Sequence, residues 1–176
     1  MERIIRTLKI LGISFIIGVG FKYLAENLLS KNITSSEPKG WYLTLPYVSL
    51  GKNDLVLLCL AKPYSELAKR LGLPAISNEC ALNSPYILKK IAGIPGDKIE
   101  INPDGVFING ILQPTSRAII KFRGIALNPL PVGYTHRLQT DEYWVMGSGA
   151  HSFDSRYFGV INKNAMYKKA DLILKR

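Results

Sequence analysis

The chain has 176 residues, which is enough for one medium-sized domain with a hydrophobic core. Its 23 Lys and Arg against 13 Asp and Glu give a formal net charge of +10 at pH 7, and proteins this basic bind nucleic acid or lie close to anionic lipid. The sequence contains no zinc-finger spacing, no RNA-binding aromatic box and no recognition-helix pattern, so a nucleic-acid partner is not expected.

The N-terminal segment, residues 1–29, has the pattern of a membrane-associated helix. Its basic head contains Arg3, Arg6 and Lys9. The uncharged run that follows, residues 10–21, is shorter than the ~20 residues that span a bilayer, but a tilted helix could span if Lys22 extends its amine to the interface. We therefore predict an uncleaved transmembrane anchor with its N-terminus in the cytoplasm. A cleaved signal segment is the alternative, which is disfavoured because Ala25 has no small partner at the spacing that cleavage requires.

From residue 30 onward the pattern changes to short apolar strands separated by turns, which predicts a mainly β domain over residues 30–176. A strand is predicted over 54–60 and a short helix over 64–71, which Gly72 ends. A loop that contains Pro and Asn then leads to Cys80.

Two turns in quick succession predict paired antiparallel strands further along the chain. The turn 102–105 (Asn-Pro-Asp-Gly) would join two short strands, and Asn109-Gly110 is the strongest two-residue hairpin signal in the sequence. Residues 114–139 show no clear periodicity, which predicts an irregular loop or loose strands, and another strand is predicted over 142–146.

Two lysines lie inside the apolar strand that begins at Tyr86. Lys89 and Lys90 are followed by the sharp turn 93–97 (Gly-Ile-Pro-Gly-Asp). A lysine buried on such a strand is hard to keep charged, and its neutral amine is a base. The simpler explanation of a Lys-Lys pair is that both amines reach solvent on their long stems.

A polar loop after the N-terminal helix carries the candidate nucleophile, Ser36, which is followed by Glu-Pro. A serine needs an adjacent base, and a desolvated lysine is an accepted one, so the two stretches together indicate a Ser-Lys dyad. Ser35 is the alternative nucleophile if the loop has a different register. Neither His136 nor His151 has neighbours that would indicate a Ser-His-Asp triad.

Three motifs occur in order between residues 32 and 160. The first, Asn-x-Thr-x-Ser-x-Pro-x-Gly-x-Tyr, is formed by Asn32, Thr34, Ser36, Pro38, Gly40 and Tyr42. The second, Lys-x-x-x-Gly-x-Pro-Gly-Asp, is formed by Lys89, Gly93, Pro95, Gly96 and Asp97. The third, Ser-x-Asp-Ser-Arg-Tyr-x-Gly, is formed by Ser152, Asp154, Ser155, Arg156, Tyr157 and Gly159. Together they resemble the type I signal peptidase family, in particular its conjugative-transfer branch of TraF-like peptidases that mature pilin precursors.

The resemblance implies a role for each site residue and selects Lys89 over Lys90. Ser36 would attack the scissile carbonyl while neutral Lys89 takes its proton and returns it to the leaving amine. The Ser36 backbone N–H and the Thr34 hydroxyl would stabilise the oxyanion, and Ser152 would orient the Lys89 amine. Asp154 and Arg156 would form a structural ion pair that supports the site.

The two cysteines of the chain, Cys59 and Cys80, are predicted to form a disulfide if the domain lies outside the cytoplasm. The resembled branch carries a similar pair around a short helical insertion before the lysine motif. Without histidine partners the cysteines make a poor zinc site, and neither a metal nor another cofactor is expected.

We therefore expect a membrane-anchored serine endopeptidase whose catalytic domain of coiled antiparallel sheets lies in the periplasm. The resemblance implies that it cleaves, and in some cases cyclises, a secreted precursor such as a conjugative pilin. The expected partners are this precursor, bound as an added strand, and the lipids of the inner membrane. The alternative is a catalytically silent, membrane-tethered assembly protein of a secretion or conjugation apparatus.

Overall fold

The computed structural model describes residues 2–73, 80 and 86–176, so the loop predicted before Cys80 lies outside the described residues. The N-terminal segment is helical as expected and forms α1 (Glu2–Leu28). Within the described part of the chain, however, no helix combines the length and hydrophobicity needed to cross a membrane, and the predicted transmembrane anchor is not supported. The uncharged run is too short because Lys9 and Lys22 bound it.

The rest of the described chain is mainly β, as predicted. Its elements in chain order are β1 (Leu29–Asn32), β2 (Gly40–Leu45), β3 (Leu55–Cys59), α2 (Tyr64–Arg70), β4 (Tyr86–Gly93), β5 (Lys98–Asn102), β6 (Gly105–Ile108), β7 (Ile111–Leu112), β8 (Lys121–Phe122), β9 (Ile125–Ala126), β10 (Thr135–Arg137), β11 (Glu142–Met146), α3 (Ser155–Phe158), β12 (Ile161–Asn162) and β13 (Met166–Lys175). Residues 114–139, predicted as loose strands, contain the three short strands β8, β9 and β10.

All strand pairs in the described part of the chain are antiparallel. Seven strands form one sheet in the order β1-β2-β13-β3-β4-β11-β12, and four form a second sheet in the order β10-β5-β6-β7. The larger sheet curls, because β1 and β4 meet across a cavity although three strands separate them in the sheet order. The Ser30 Oγ and Tyr86 Oη atoms are 3.0 Å apart at this contact.

The Asn109-Gly110 hairpin forms between β6 and β7 as predicted. Both residues have positive φ, 52° and 79°, which matches the two left-handed positions of the tight hairpin turn that twists with its strands. The two cysteines also pair as predicted: a disulfide joins Cys59, at the end of β3, to Cys80, with the Cα atoms 5.5 Å apart.

The alternation of β4 decides which of its lysines is buried. Side chains alternate between the two faces of a strand, so Ile87, Lys89 and Ile91 share one face. Ile87 and Ile91 belong to the main hydrophobic cluster, whose other members include Val56, Leu58 and Val145 from the neighbouring strands. Lys89 therefore projects toward the core side of the sheet, and only 3% of it is exposed. Lys90 lies on the opposite face and is half-buried.

Candidate active site

The loop between β1 and β2, residues 33–39, carries Ser36 and is called the serine loop below. Asn32 organises it from the end of β1. The Asn32 Nδ2 group donates to the backbone carbonyls of Thr34, Glu37 and Pro38, at 3.2, 2.9 and 3.1 Å. Its Oδ1 accepts from the Thr34 backbone N–H at 3.0 Å. A side chain that bonds this many nearby backbone groups fixes the loop without regular secondary structure.

Thr34 connects Asn32 to the candidate nucleophile. Its hydroxyl donates to Asn32 Oδ1 at 2.7 Å and lies 3.2 Å from Ser36 Oγ. Because a hydroxyl has one proton, the Ser36 hydroxyl is then the donor to Thr34 in this arrangement. Thr34 therefore lies beside Ser36, but for its predicted role as an oxyanion donor the Thr34 hydroxyl proton would have to turn away from Asn32.

Ser36 and Lys89, distant in sequence, line the same open cleft of about 460 Å³. Both also line the smaller cavity where β1 meets β4. Ser35 lines the larger cleft too, but it is exposed, whereas Ser36 is half-buried. The structure thus places the predicted nucleophile and base at one site.

The environment of Lys89 makes it a candidate base. Its strand partner in β3 is Val56, which is fully buried. Burial lowers the pKa of Lys89 from its ordinary 10.5 to about 8, although the carboxylates of Asp154 and Glu37 act in the opposite direction. At this pKa a useful fraction of the amine is neutral near pH 7–8, which is what proton abstraction from a serine requires.

Residues 147–152, called the glycine loop below, pack directly against the serine loop. The Ser148 N–H donates to the Ser36 carbonyl at 2.8 Å. A Cβ at Gly149 would lie 2.8 Å from the Ser35 carbonyl oxygen, and one at Gly147 would collide with Ser152 Oγ. Side chains at these two positions would therefore push the two loops apart.

Ser152 lines the cleft beside Ser36 and Lys89, as the orienting role predicts. Its hydroxyl is buried, and among the described residues it has no hydrogen-bond partner. The predicted hydrogen bond to the Lys89 amine is thus not formed, although both groups line the same cleft. A buried hydroxyl without a partner is costly, so a nearby donor or acceptor is expected to engage it when the site is loaded.

Asp154 and Arg156 form the predicted buried ion pair below the glycine loop. Arg156 Nε and Nη2 donate to the two Asp154 carboxylate oxygens at 2.8 and 2.7 Å. Asp154 also accepts from the Gly147 N–H at 3.0 Å, while Arg156 donates to the carbonyls of Ala150 and Ser152. The pair therefore fixes the backbone of the glycine loop from below, a structural role.

Glu37, the residue after Ser36, received no role from sequence, yet it is 3% exposed. Its Oε1 accepts from the Ser148 N–H at 3.2 Å and its Oε2 from the Ser148 hydroxyl at 3.0 Å. Burial raises its pKa, while Ser148 and the charges of Lys90 and Lys89 act in the opposite direction. No local sequence signal identifies this role, because the contact joins residues that are 111 positions apart.

Asp97 fixes the turn that follows β4. Its carboxylate accepts from the Ile94 N–H, from Asn109 Nδ2 and from the Lys52 amine at 2.9, 2.7 and 3.1 Å. Asp97, the last residue of the lysine motif, therefore has a structural role, because these contacts hold the turn after β4 in place.

The two histidines do not pair with a serine among the described residues. His136, on β10 of the smaller sheet, has its Nε2 atom 2.7 Å from Oε2 of Glu142 on β11, and it lines neither of the two cavities at Ser36. His151 lines the wall of the larger cleft, against the Phe122 ring. Within the described residues, no group of three or more His, Cys, Asp or Glu side chains is placed to hold a metal ion.

Comparison with known proteins finds a matching peptidase family and several similar TraF proteins. Residues 1–175 match the sequence model of the family described as signal peptidase, peptidase S26. A plasmid transfer protein TraF of Escherichia coli is 32% identical over 137 residues, covering 76% of this chain and 75% of that protein. A second Escherichia coli protein of the same name is 31% identical over 170 residues, covering 93% of this chain and 91% of that protein.

One further TraF protein and one solved structure, both from other organisms, are also similar to this chain. The conjugal transfer protein TraF of Agrobacterium tumefaciens (strain 15955) is 30% identical over 143 residues, covering 79% of this chain and 78% of that protein. The crystal structure of a signal peptidase I from Enterococcus faecalis V583 superposes with a TM-score of 0.38 at 17% identity, covering 69% of this chain and 96% of that one.

Proposed function

Since the chain belongs to the signal peptidase family, peptidase S26, and has TraF proteins among its relatives, we propose that it is a serine endopeptidase with a Ser36/Lys89 dyad. The observation that carries the proposal is the buried Lys89 amine, with its pKa near 8, in the cleft that Ser36 also lines. A lysine that only carried charge would gain nothing from this burial.

In the proposed reaction, the neutral Lys89 amine removes the proton of Ser36 as Oγ attacks the scissile carbonyl. The tetrahedral intermediate collapses to an ester on Ser36, and the Lys89 ammonium gives its proton to the leaving amine. The Ser36 N–H and the Thr34 hydroxyl are the oxyanion donors of the proposal. Ser152 supports it as the group that orients the Lys89 amine, because its buried hydroxyl is otherwise unpaired among the described residues.

The proposed substrate is an extended segment of a secreted precursor such as a conjugative pilin. In the described part of the larger sheet, β1 pairs with β2 alone, so its other edge can accept an added strand beside Ser36. The names of the TraF relatives connect them to plasmid and conjugal transfer, which favours a precursor from that apparatus. Attack on the Ser36 ester by water would give hydrolysis, and attack by a free amino terminus would give a cyclic product.

The proposed location of the catalytic domain is the periplasmic face of the inner membrane. The Cys59–Cys80 disulfide supports an oxidising compartment. The large apolar side chains of α1 that are exposed support contact with lipid, and they include Ile10, Leu11, Ile13, Phe15, Ile16, Ile17, Val19 and Phe21. Added protease should digest the domain in spheroplasts but not in intact cells, and digestion only after lysis would contradict this location.

A serine-acylating probe and a pilin-type precursor test the activity together. Wild-type protein should take up the probe and cleave the precursor, and Ser35→Ala should behave like wild type. Ser36→Ala should lose both activities, with cleavage falling by about three orders of magnitude or more. Loss in Ser35→Ala with retention in Ser36→Ala would identify the other serine. A folded wild-type protein that does neither would favour the catalytically silent assembly protein.

A further inference from the structure

Glu37 is a buried acidic group beside the dyad that the reaction above does not use. We propose that Glu37 is a positioning residue: its carboxylate holds the serine loop against the glycine loop and keeps a negative charge facing the Lys89 amine. The proposal deepens the proposed function and rests on it, since Lys89 is the base whose protonation Glu37 would control.

The geometry of the two loops supports the first half of the proposal. Ser148 is bonded to two consecutive residues of the serine loop: its N–H donates to the Ser36 carbonyl at 2.8 Å and to Glu37 Oε1 at 3.2 Å. Its hydroxyl donates to Glu37 Oε2 at 3.0 Å. The backbone of the serine loop is thus clamped at the nucleophile itself, and a displacement of the loop would move Ser36 relative to Lys89.

Burial raises the pKa of Glu37, but the hydrogen bonds from Ser148 favour its ionised form. Both of its carboxylate oxygens accept from Ser148, so the ionised form is the one that matches the donors around it. Lys89 and Lys90 further favour that form, although burial opposes it. A carboxylate in this place favours the protonated form of Lys89 and so raises the pH at which the base becomes active.

Other charged groups also face Lys89. Asp154 acts in the same direction as Glu37, and Arg156 acts against both. The remaining titratable or charged side chains that line the two cavities at Lys89 are Lys31, Lys39, Tyr42, Tyr86, Arg123, His151 and Tyr157. Asp154 is held by Arg156 through two hydrogen bonds, whereas Glu37 is bonded to a neutral residue, so the Glu37 charge can be removed without leaving a buried arginine unpaired.

The pH dependence of cleavage in Glu37→Gln tests the effect of the Glu37 charge on Lys89. Glutamine keeps the shape and one acceptor but removes the charge. The alkaline rise in cleavage rate should therefore shift to lower pH by roughly half a unit or more in Glu37→Gln. Glu37→Asp keeps the charge but is too short to reach Ser148, so its pH profile should stay near that of wild type while the maximal rate falls several-fold. Glu66→Gln, a change at an exposed carboxylate, is the matched control and should change neither.

Thermal unfolding across pH gives a readout that needs no peptidase activity. In wild type the melting temperature should begin to rise with pH where folded Lys89 loses its proton, and in Glu37→Gln this rise should begin at lower pH. The difference should vanish when Lys89→Met is the background for both proteins. An unshifted rise in Glu37→Gln, or an equal shift in the Lys89→Met background, would overturn the proposal. Shifted melts with no cleavage by wild type would keep the Glu37–Lys89 coupling and reject the peptidase function instead.

Discussion

At the scale of single residues, the site depends on one lysine being buried and its neighbour not. Lys89 shares a strand face with Ile87 and Ile91, whereas Lys90 faces the other way. Alternation along the strand could have separated the two lysines from the sequence, because the large aliphatic residues flank Lys89 at two-residue spacing. Glu37 could not have been identified in this way, since its burial depends on a loop more than a hundred residues away.

The buried lysine leads to a prediction about stability. Its folded pKa of about 8 lies below the unfolded 10.5, so between these values the unfolded chain binds more protons and stability rises with pH. Below pH 8 the buried lysine therefore costs stability, on the order of 3 kcal/mol as an upper bound. Lys89→Met should abolish cleavage yet be as stable as wild type or more stable at pH 7, and the gain should shrink as the pH approaches 10.5.

Melting temperatures from pH 6 to 11, measured beside a cleavage assay, check this prediction. Wild-type cleavage should increase through pH 8 as Lys89 deprotonates. A Lys89→Met protein that melts below wild type at every pH, with wild-type activity flat from acid to alkali, would show that Lys89 is an ordinary charged residue. Lys90→Met is the matched control and should retain cleavage, because Lys90 lies on the other face of β4.

At the scale of elements, the disulfide connects two parts of the chain near Lys89. It joins β3, which pairs with the strand that carries Lys89, to the segment before that strand, β4. Cys59 ends β3, and its partner in the sheet register is Tyr86, the first residue of β4. The bridge to Cys80 therefore closes the chain around α2 and limits how far β3 and β4 can separate. The pairing predicted from the expected compartment and from the cysteine pair of the resembled branch is confirmed here.

Removal of this disulfide should lower the free energy of unfolding by about 3 kcal/mol in the chain-entropy account. The variant for the test is Cys59→Ser/Cys80→Ser, measured by denaturant unfolding against wild type with and without reductant. Alkylation of the unreduced wild-type protein should detect no free thiol. An unchanged midpoint in the double variant, or two free thiols in the native protein, would contradict this account of the bridge.

At the scale of the whole molecule, α1 is attached to the β domain mainly at its end. Lys168 Nζ donates to the Asn27 carbonyl at 2.6 Å and Thr44 Oγ1 to the Leu28 carbonyl at 3.2 Å. The hydrophobic clusters of the described chain draw their buried members from Tyr42 onward. We therefore expect the β domain to fold without α1.

A chain that begins at Leu29 should fold with a stability within about 2 kcal/mol of the full protein, because only the bonds at the helix end are lost. It should retain probe labelling at Ser36 and cleave a soluble peptide substrate. The truncated chain should also bind lipid vesicles less than the full protein does, because it lacks the exposed apolar side chains of α1. Circular dichroism melts, probe labelling and vesicle co-sedimentation check the three outcomes, and an unfolded truncated chain would show that α1 is part of the domain.

Elements with local signals could be predicted from the amino-acid sequence. The apolar run of β3, the hairpin at Asn109-Gly110 and the short helix α2 follow from patterning and turn chemistry, which act over a few residues. The three motifs also gave Ser36, Lys89 and Ser152 as candidate site residues, because each residue lies within its own motif. The cysteine pair was predicted from the expected compartment and from the pair in the resembled branch.

Features that depend on distant contacts could be recognised only from the folded chain. β13 lies in the middle of the larger sheet, yet we predicted no strand over residues 166–175. The strand has two register shifts, which break the alternation of side chains that would reveal it in the sequence. The transmembrane anchor was predicted from a charge pattern that the length of the apolar run did not support. The curl of the sheet brings β1 against β4, and the meeting of two loops buries Glu37. Such contacts join segments far apart in the chain, so local patterns cannot specify them and only the packed fold does.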